Sequence, residues 1–238
     1  MPEYQMTAPV WQRGIMEDDF GVPITSVEFF TGAIEHSEKP RTAKVPHSLP
    51  EGVTVRSIDA GKNLSQMLAD GELDAIFSAT KPPSFYSSPN VDHLFPNFKE
   101  VEAEYYRRTK IFPIMHVIAL KRTTYEANPW IAKTLTKAFA QALEMAYEPL
   151  YERGALRYIL PWLEHHVEET RSLMGDKWWR DGFEENKHVL DTFLDHHHRQ
   201  GLSKRKFKAH ELSANQAQPS FNYPATAHLP PHLTNKRE

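Results

Sequence analysis

Residues 53–80, VTVRSIDAGKNLSQMLADGELDAIFSAT, hold the pattern on which the fold turns. Residues 53–58 alternate apolar and polar as a strand does. Leu64, Met67 and Leu68 then recur at helical spacing over 64–69, and Gly71 supplies a stop. Residues 74–79 (DAIFSA) form a short apolar run of strand length, closed by Thr80 and the Pro82-Pro83 pair. Strand, helix, strand in this order predicts a parallel α/β sheet. Just upstream, residues 27–31 (VEFFT) read as a further strand closed by Gly32, and the charged, proline-bearing stretch 35–50 reads as a surface loop.

The chain ahead of that sheet starts without a strand. Met6, Val10 and Gly14, flanked by Trp11 and Ile15, repeat at helical spacing up to Gly21. A helix start leaves backbone N–H groups without carbonyl partners, so Tyr4, Gln5, Met6 and Thr7 stand where an anion would bind. A strand normally delivers the chain to such a turn, and its absence is read as the later part of a longer two-lobed protein. Thr7 has a second reading as a plain helix cap.

Downstream, 84–97 is a loop rich in Ser, Pro and Asn, and Asn97 is placed to cap a helix running through Arg108. Residues 114–120 are expected as a strong strand, separated from that helix by Pro113. Pro129 falls at a first helical position after Asn128. Ile131, Leu135, Phe139, Ala142, Ala146 and Leu150 mark one face of a long helix that Pro149 kinks or ends. Further helices are expected over 156–163, 167–174 and 184–200, the last stopped by Gly201. Beyond about Ser213 the chain turns to Ala, Gln, Pro, Asn and His without apolar period, and is expected to be disordered.

At 238 residues and a net charge of -3 the chain has no electrostatic footprint for nucleic acid, and Lys204, Arg205, Lys206 and Lys208 read as a short solvated cluster. No apolar run reaches membrane-spanning length, and no secretory signal is visible. With no cysteine, disulfides, thiolate catalysis and cysteine-bound metals are excluded, and a cytoplasmic setting is the default. The 13 histidines raise the question of a metal. His196, His197 and His198 are consecutive on a helix, so their rings fan out and cannot converge on one ion. His165 with Glu169 has usable spacing, but a surface pair explains it more simply. No metal and no cofactor are expected.

Several blocks carry a likeness: PEYQMTAPVW (2–11), LADGELDAIFSA (68–79), LFPNF (94–98), EYYRRTKIFPIMH (104–116), NPWIAKTLTKAF (128–139), LPWL (160–163) and HVEETRSLMGDKWW (166–179). Together, and in this order, they resemble the 4,5-dihydroxyphthalate decarboxylases, a family whose two-lobed fold resembles that of periplasmic solute-binding proteins. The resemblance implies an N-terminally truncated, periplasmic-binding-protein-like α/β fold with a helical C-terminal part. Residues 1–110 would form an α/β lobe with the ligand-binding helix start, 111–212 a crossover strand and the helices of the second lobe, and 213–238 a tail. In this form the second lobe would lack its sheet and expose the 131–150 stripe, a surface open to a partner, a homo-oligomer included.

The implied reaction is non-oxidative removal of one carboxylate from a dihydroxylated aromatic dicarboxylate, giving protocatechuate and carbon dioxide. A hydroxyl para to the departing group pushes electron density into the ring, so no electron-sink cofactor is needed in principle. The protein must hold the carboxylates, protonate carbon and accept from the phenol. His116 is the expected acid–base residue, since imidazole titrates near neutrality; its competing reading is a strand histidine satisfied by backbone. Arg108 is the expected carboxylate clamp, one of the pair Arg107 and Arg108 that a helix points about 100° apart. The other reading for such an arginine is a surface salt bridge with Glu102 or Glu104. Tyr4, Gln5 and Thr7 would bind substrate at the helix start, and Thr80 and Phe112 border strands lining the same cleft, where either could instead pack. Arg13 is expected to face solvent, and Trp130, Trp162, Trp178 and Trp179 to anchor a core or lobe interface. The alternative function is a solute-binding protein that captures a small aromatic or carboxylated ligand without catalysis; a truncated homologue with no site is the third.

Overall fold

The computed structural model describes residues 1–35 and 48–213. The loop expected over 35–50 and the tail expected from Ser213 lie, apart from their edges, outside the described residues. The fold is mixed α/β, about half helical, with a small parallel sheet. Over the described residues it divides into two compact units, one of Met1–Val117 with His188–Glu211, the other chiefly Ile118–Lys187.

The first unit is built on helix α1 (Thr7–Phe20), stopped by Gly21 in the left-handed conformation at φ 65° that costs glycine little. After a 3-10 turn at Ile24–Ser26 come strands β1 (Glu28–Thr31) and β2 (Thr54–Ser57), paired in parallel with Phe29 opposite Val55. Two strands alone are marginal in water. Packing holds these: Phe29 and Val53 join Tyr4, Val10, Ile24 and Leu202 in one buried cluster. Helix α2 (Leu64–Ala69) follows as expected, its first turn capped by the Asn63 side chain, which accepts from the Gln66 N–H at 2.9 Å.

The strand expected over 74–79 does not form. Glu72 and Leu73 donate their N–H groups back to the Met67 carbonyl, wrapping the chain around the end of α2. The Ser78 carbonyl then accepts from the Gln12 side chain rather than from a strand neighbour. A one-turn helix α3 (Ser84–Ser87) interrupts the expected 84–97 loop, and α4 (Phe98–Thr109) starts after Asn97 as expected. Asn97 caps it through its carbonyl, which accepts from Glu100 and Val101, and not through its side chain.

Residues 114–120 are likewise not a strand. The Ile114 carbonyl accepts from the Trp11 indole N–H at 3.0 Å, and the following residues run past without a ladder, Val117 and Ile118 exposed. Their apolar, β-branched run gave them strand character, but among the described residues no neighbouring strand pairs with it.

The second unit consists of helices α5 (Arg122–Ala127), α6 (Trp130–Tyr151) and α7 (Leu163–Met174), with Pro149 inside the last turn of α6. The helix expected over 156–163 is absent up to Leu163, where Pro161 disfavours the helical region for Leu160 and Trp162 turns left-handed at φ 64°. Helix α8 (Phe183–Arg199) crosses into the first unit at His188, and a final turn α9 (Ala209–Leu212) follows. Trp130, Trp162 and Trp179 are not buried anchors here: they are exposed, Trp162 to 78%. Trp178 is half-buried and meets Tyr147 edge-on at 4.7 Å. No helix among the described residues is long and apolar enough to cross a membrane.

Candidate active site

The start of α1 is built from an extended Met6 (φ -64°, ψ 136°) that offers no side-chain cap. Thr7 is the first helical residue and does not close the helix through its hydroxyl. Val10 donates to the Met6 carbonyl at 3.0 Å, and Pro9 has no N–H. The first-turn donors without a carbonyl one turn behind are therefore those of Thr7 and Ala8. Two adjacent N–H groups at a helix N-terminus suit one carboxylate.

The turn before this start is locked from behind. Arg13, expected at the surface, is 1% exposed, a correction with a clear cause. Its Nε donates to the Gln200 side chain at 2.9 Å and its Nη2 to the Tyr4 carbonyl at 2.7 Å, while its guanidinium carbon lies 4.0 Å from the Tyr4 ring centroid. Burial lowers the Arg13 pKa to about 10. Carbonyl, amide and ring face together replace the water that a buried cation gives up. Gln200 completes the lock by donating to the Val10 carbonyl, and Tyr4 donates its hydroxyl to the Gln200 carbonyl at 3.1 Å. The Tyr4 side chain is thus buried behind the helix start, and burial raises its pKa. Gln5 and Thr7 remain half-buried beside it.

Helix α1 also gathers three of the other expected residues by different side chains. Gln12 donates to the Ser78 carbonyl at 3.0 Å, and Thr80, exposed, donates its N–H to the Ser78 hydroxyl at 3.2 Å. Trp11 fixes Ile114, between exposed Phe112 and exposed His116. Thr80, Phe112 and His116 therefore belong to segments tied to the first half of α1.

Arg108 is held elsewhere. Its guanidinium meets the Asp19 carboxylate at 2.7 Å, near the far end of α1, whereas Arg107 pairs with Glu104. Asp19 stands 12 residues beyond Thr7, about 18 Å along the helix at 1.5 Å per residue. One bound anion cannot touch both. Beside this pair, burial and the Asp19 charge push the Tyr105 hydroxyl up to about 12.

A polar contact around a buried histidine, which the sequence did not announce, lies where α8 crosses α1. The Nε2 of His196 is 2.8 Å from the Asp18 carboxylate, and its ring stands edge-on to Trp11 at 5.5 Å. Gly14 makes room for it: a Cβ there would sit 2.2 Å from the imidazole Nδ1. Arg199, one turn on, donates to Asp18 and to Asp195. The sequence pointed to a helix over 184–200 whose three histidines fan out, but not to which of them would turn inward. His165 is exposed, and the described residues hold no cluster of three or more metal-ligating side chains.

In the second unit a cleft of about 640 Å³ opens beside the α7 start, lined by Leu156, Tyr158, Leu160 and Trp162. Its charges answer one another. Arg153 pairs with Glu164, and Glu152 accepts from the Gly154 and Ala155 N–H groups, which hold its carboxyl below the usual range. None of the expected site residues lines it.

No family model matches the sequence. Among curated proteins, a 4,5-dihydroxyphthalate decarboxylase of Comamonas testosteroni is 38% identical over 213 residues, 89% of this chain and 64% of that protein. A second, of Pseudomonas putida, is 36% identical over 108 residues, 45% of this chain and 41% of its own length. The chain spans less than two thirds of either relative. The aligned stretch of the first is long enough to take in most of both units, and over it the chain is similar to the 4,5-dihydroxyphthalate decarboxylases.

Proposed function

We propose that this protein acts in the non-oxidative decarboxylation of a hydroxylated aromatic dicarboxylate, 4,5-dihydroxyphthalate giving protocatechuate and carbon dioxide. The observation that carries the reading is the 38% identity over 89% of the chain to a relative of that name. The first turn of α1 supports it, because its Thr7 and Ala8 N–H groups have no carbonyl one turn behind them and a dicarboxylate needs fixed N–H donors.

In this reading the Thr7 and Ala8 N–H groups and the Thr7 hydroxyl receive one carboxylate, with Gln5 and the Tyr4 backbone beside it. Thr80 and Phe112 border the ring. His116 delivers a proton to the ring carbon that bears the departing carboxylate. The para hydroxyl stabilises the resulting cation, the carbon–carbon bond breaks with its electron pair returning to the ring, and carbon dioxide leaves. The residues 1–110 then serve as the ligand-binding lobe of a two-lobed, periplasmic-binding-protein-like fold, 111–212 as part of the other, in a cytoplasmic enzyme.

The test is product analysis. Purified protein incubated with 4,5-dihydroxyphthalate should release protocatechuate and carbon dioxide in equal amounts; substrate returned intact overturns the reading. His116→Gln should then lower turnover by about 100-fold or more with little change in KM, as loss of a general acid does. An unchanged rate removes His116 from the chemistry.

A further inference from the structure

A carboxylate held only by two N–H groups lacks a cation, and Arg108 is already neutralised by Asp19. The segment after Thr80 offers another. Lys81 extends over the Phe85 ring, its Nζ 4.0 Å from the centroid, and reaches the Nε2 of His93 at 3.1 Å. His93 meets Phe85 edge-on at 4.8 Å and stacks on Phe98, also at 4.8 Å, with the planes 25° apart. An ammonium cannot accept a hydrogen bond, so His93 faces it with a lone pair. Neither His93 nor the Phe85 ring brings a negative charge to it.

The two partners of Lys81 thus fix its direction without cancelling its charge. No carboxylate pairs with it among the described residues. It lies three residues past Ser78, whose carbonyl is pinned to α1 by Gln12, so its Cα is within roughly 11 Å of that anchor. A flexible lysine at such a place would sweep a wide arc, whereas this one is braced against a ring. Beside this group, Phe98, one face of which stacks on His93, and Tyr86, edge-on to Phe85, are both exposed. A fixed cation beside exposed aromatic rings is the combination that an aromatic carboxylate recognises.

We propose that Lys81, braced by His93 and Phe85, is the cation that binds a substrate carboxylate, with Phe98 offering a face to the aromatic ring. This rests on the decarboxylase reading for the identity of the substrate, but not for the binding itself. The competing role is structural, a cation–π clasp that only holds the 81–98 segment together.

The experiment is calorimetric titration of the whole protein with 4,5-dihydroxyphthalate and with phthalate, beside the rate of carbon dioxide release. Lys81→Met should weaken binding of both ligands by about 10- to 100-fold, the range of a charge-assisted hydrogen bond, and flatten its salt dependence. Lys81→Arg should retain binding within a few fold. His93→Phe, which keeps a ring but removes the acceptor, should weaken it several-fold. Lys81→Met that binds both ligands as the parent does, with the parent's salt dependence, overturns the proposal. If the parent releases carbon dioxide and Lys81→Met matches its kcat/KM, this assignment fails and the decarboxylase reading stands. If the parent binds through Lys81 but releases no carbon dioxide, the decarboxylase reading fails and the binding site stands.

Discussion

Helices α1 and α6 look alike on paper and end differently. The 22-residue α6 has the longer apolar stripe, yet Phe139 in that stripe is 49% exposed, and Ala132 and Pro149 are its buried residues. The 14-residue α1 buries Ala8, Pro9, Val10, Trp11, Arg13 and Gly14, and each flank has a distinct partner. Trp11 faces Ile111 and Val189, Arg13 faces Tyr4 and Gln200, and Gln12 faces Ser78. Apolar period measures what a helix is able to bury. Burial itself depends on which neighbours arrive, and these came to α1 from three distant parts of the chain.

The sharpest way to break this contrast is to truncate one large side chain on each helix. Trp11→Ala should destabilise the first unit by about 3–5 kcal/mol, since it removes a fully buried indole and leaves the Ile114 carbonyl unpaired. Phe139→Ala should cost no more than about 0.5–1 kcal/mol. Urea unfolding of both variants decides it, and equal losses would erase the distinction.

Next in size is Arg13→Leu, expected to cost about 2–4 kcal/mol because the Tyr4 carbonyl and the Gln200 amide oxygen lose a charged donor while staying buried. Arg13→Lys should recover little, as a single ammonium cannot reproduce the forked contacts. Gly14→Ala should follow at about 1–3 kcal/mol from overpacking against the His196 ring, and His196→Ala should reverse most of the penalty in the double variant. Additive losses in that cycle would separate the two residues.

The last effect is a pH dependence at the α1–α4 contact. Tyr105 ionises at 10.0 when unfolded and at about 12 when folded, so above pH 10 the unfolded chain releases a proton that the folded one keeps. Stability should hold below pH 10 and fall as pH rises from 10 towards 12. Tyr105→Phe should flatten that slope in denaturation curves taken at several alkaline pH values.

Much of this architecture was readable from local pattern. The starts and stops of α1, α2, α4, α6 and α8 followed from spacing, Gly21, Asn97 and Gly201, because capping and amphipathicity are decided within a turn or two. The strands at 74–79 and 114–120 were misread for the opposite reason: a strand exists only with a partner. Side chains 66 and 103 residues away, Gln12 and Trp11, took the carbonyls instead. The apolar letters of 156–163 outvoted Pro161, although a proline disfavours the helical region for the residue before it. In the candidate site, the helix start was visible in PEYQMTAP, whereas the fate of Arg108 was not, since Asp19 lies 89 residues earlier. Arg13 was misplaced because a charge was assumed to want water, when a carbonyl, an amide and a ring face had been assembled for it.

The Gln200 lock has a consequence in time as well as in space. Tyr4 and Gln200 are 196 residues apart, so the element that seals α1 is translated long after α1 itself. At ordinary elongation rates of about 5–20 residues per second, roughly 10 to 40 seconds pass between them. During that interval Trp11 and Val10 have no α8 to pack against, and the nascent first unit depends on whatever shields it. Contacts of such long range also slow folding itself. Synonymous changes that slow translation between these two points should therefore lower the yield of soluble protein without altering a single residue.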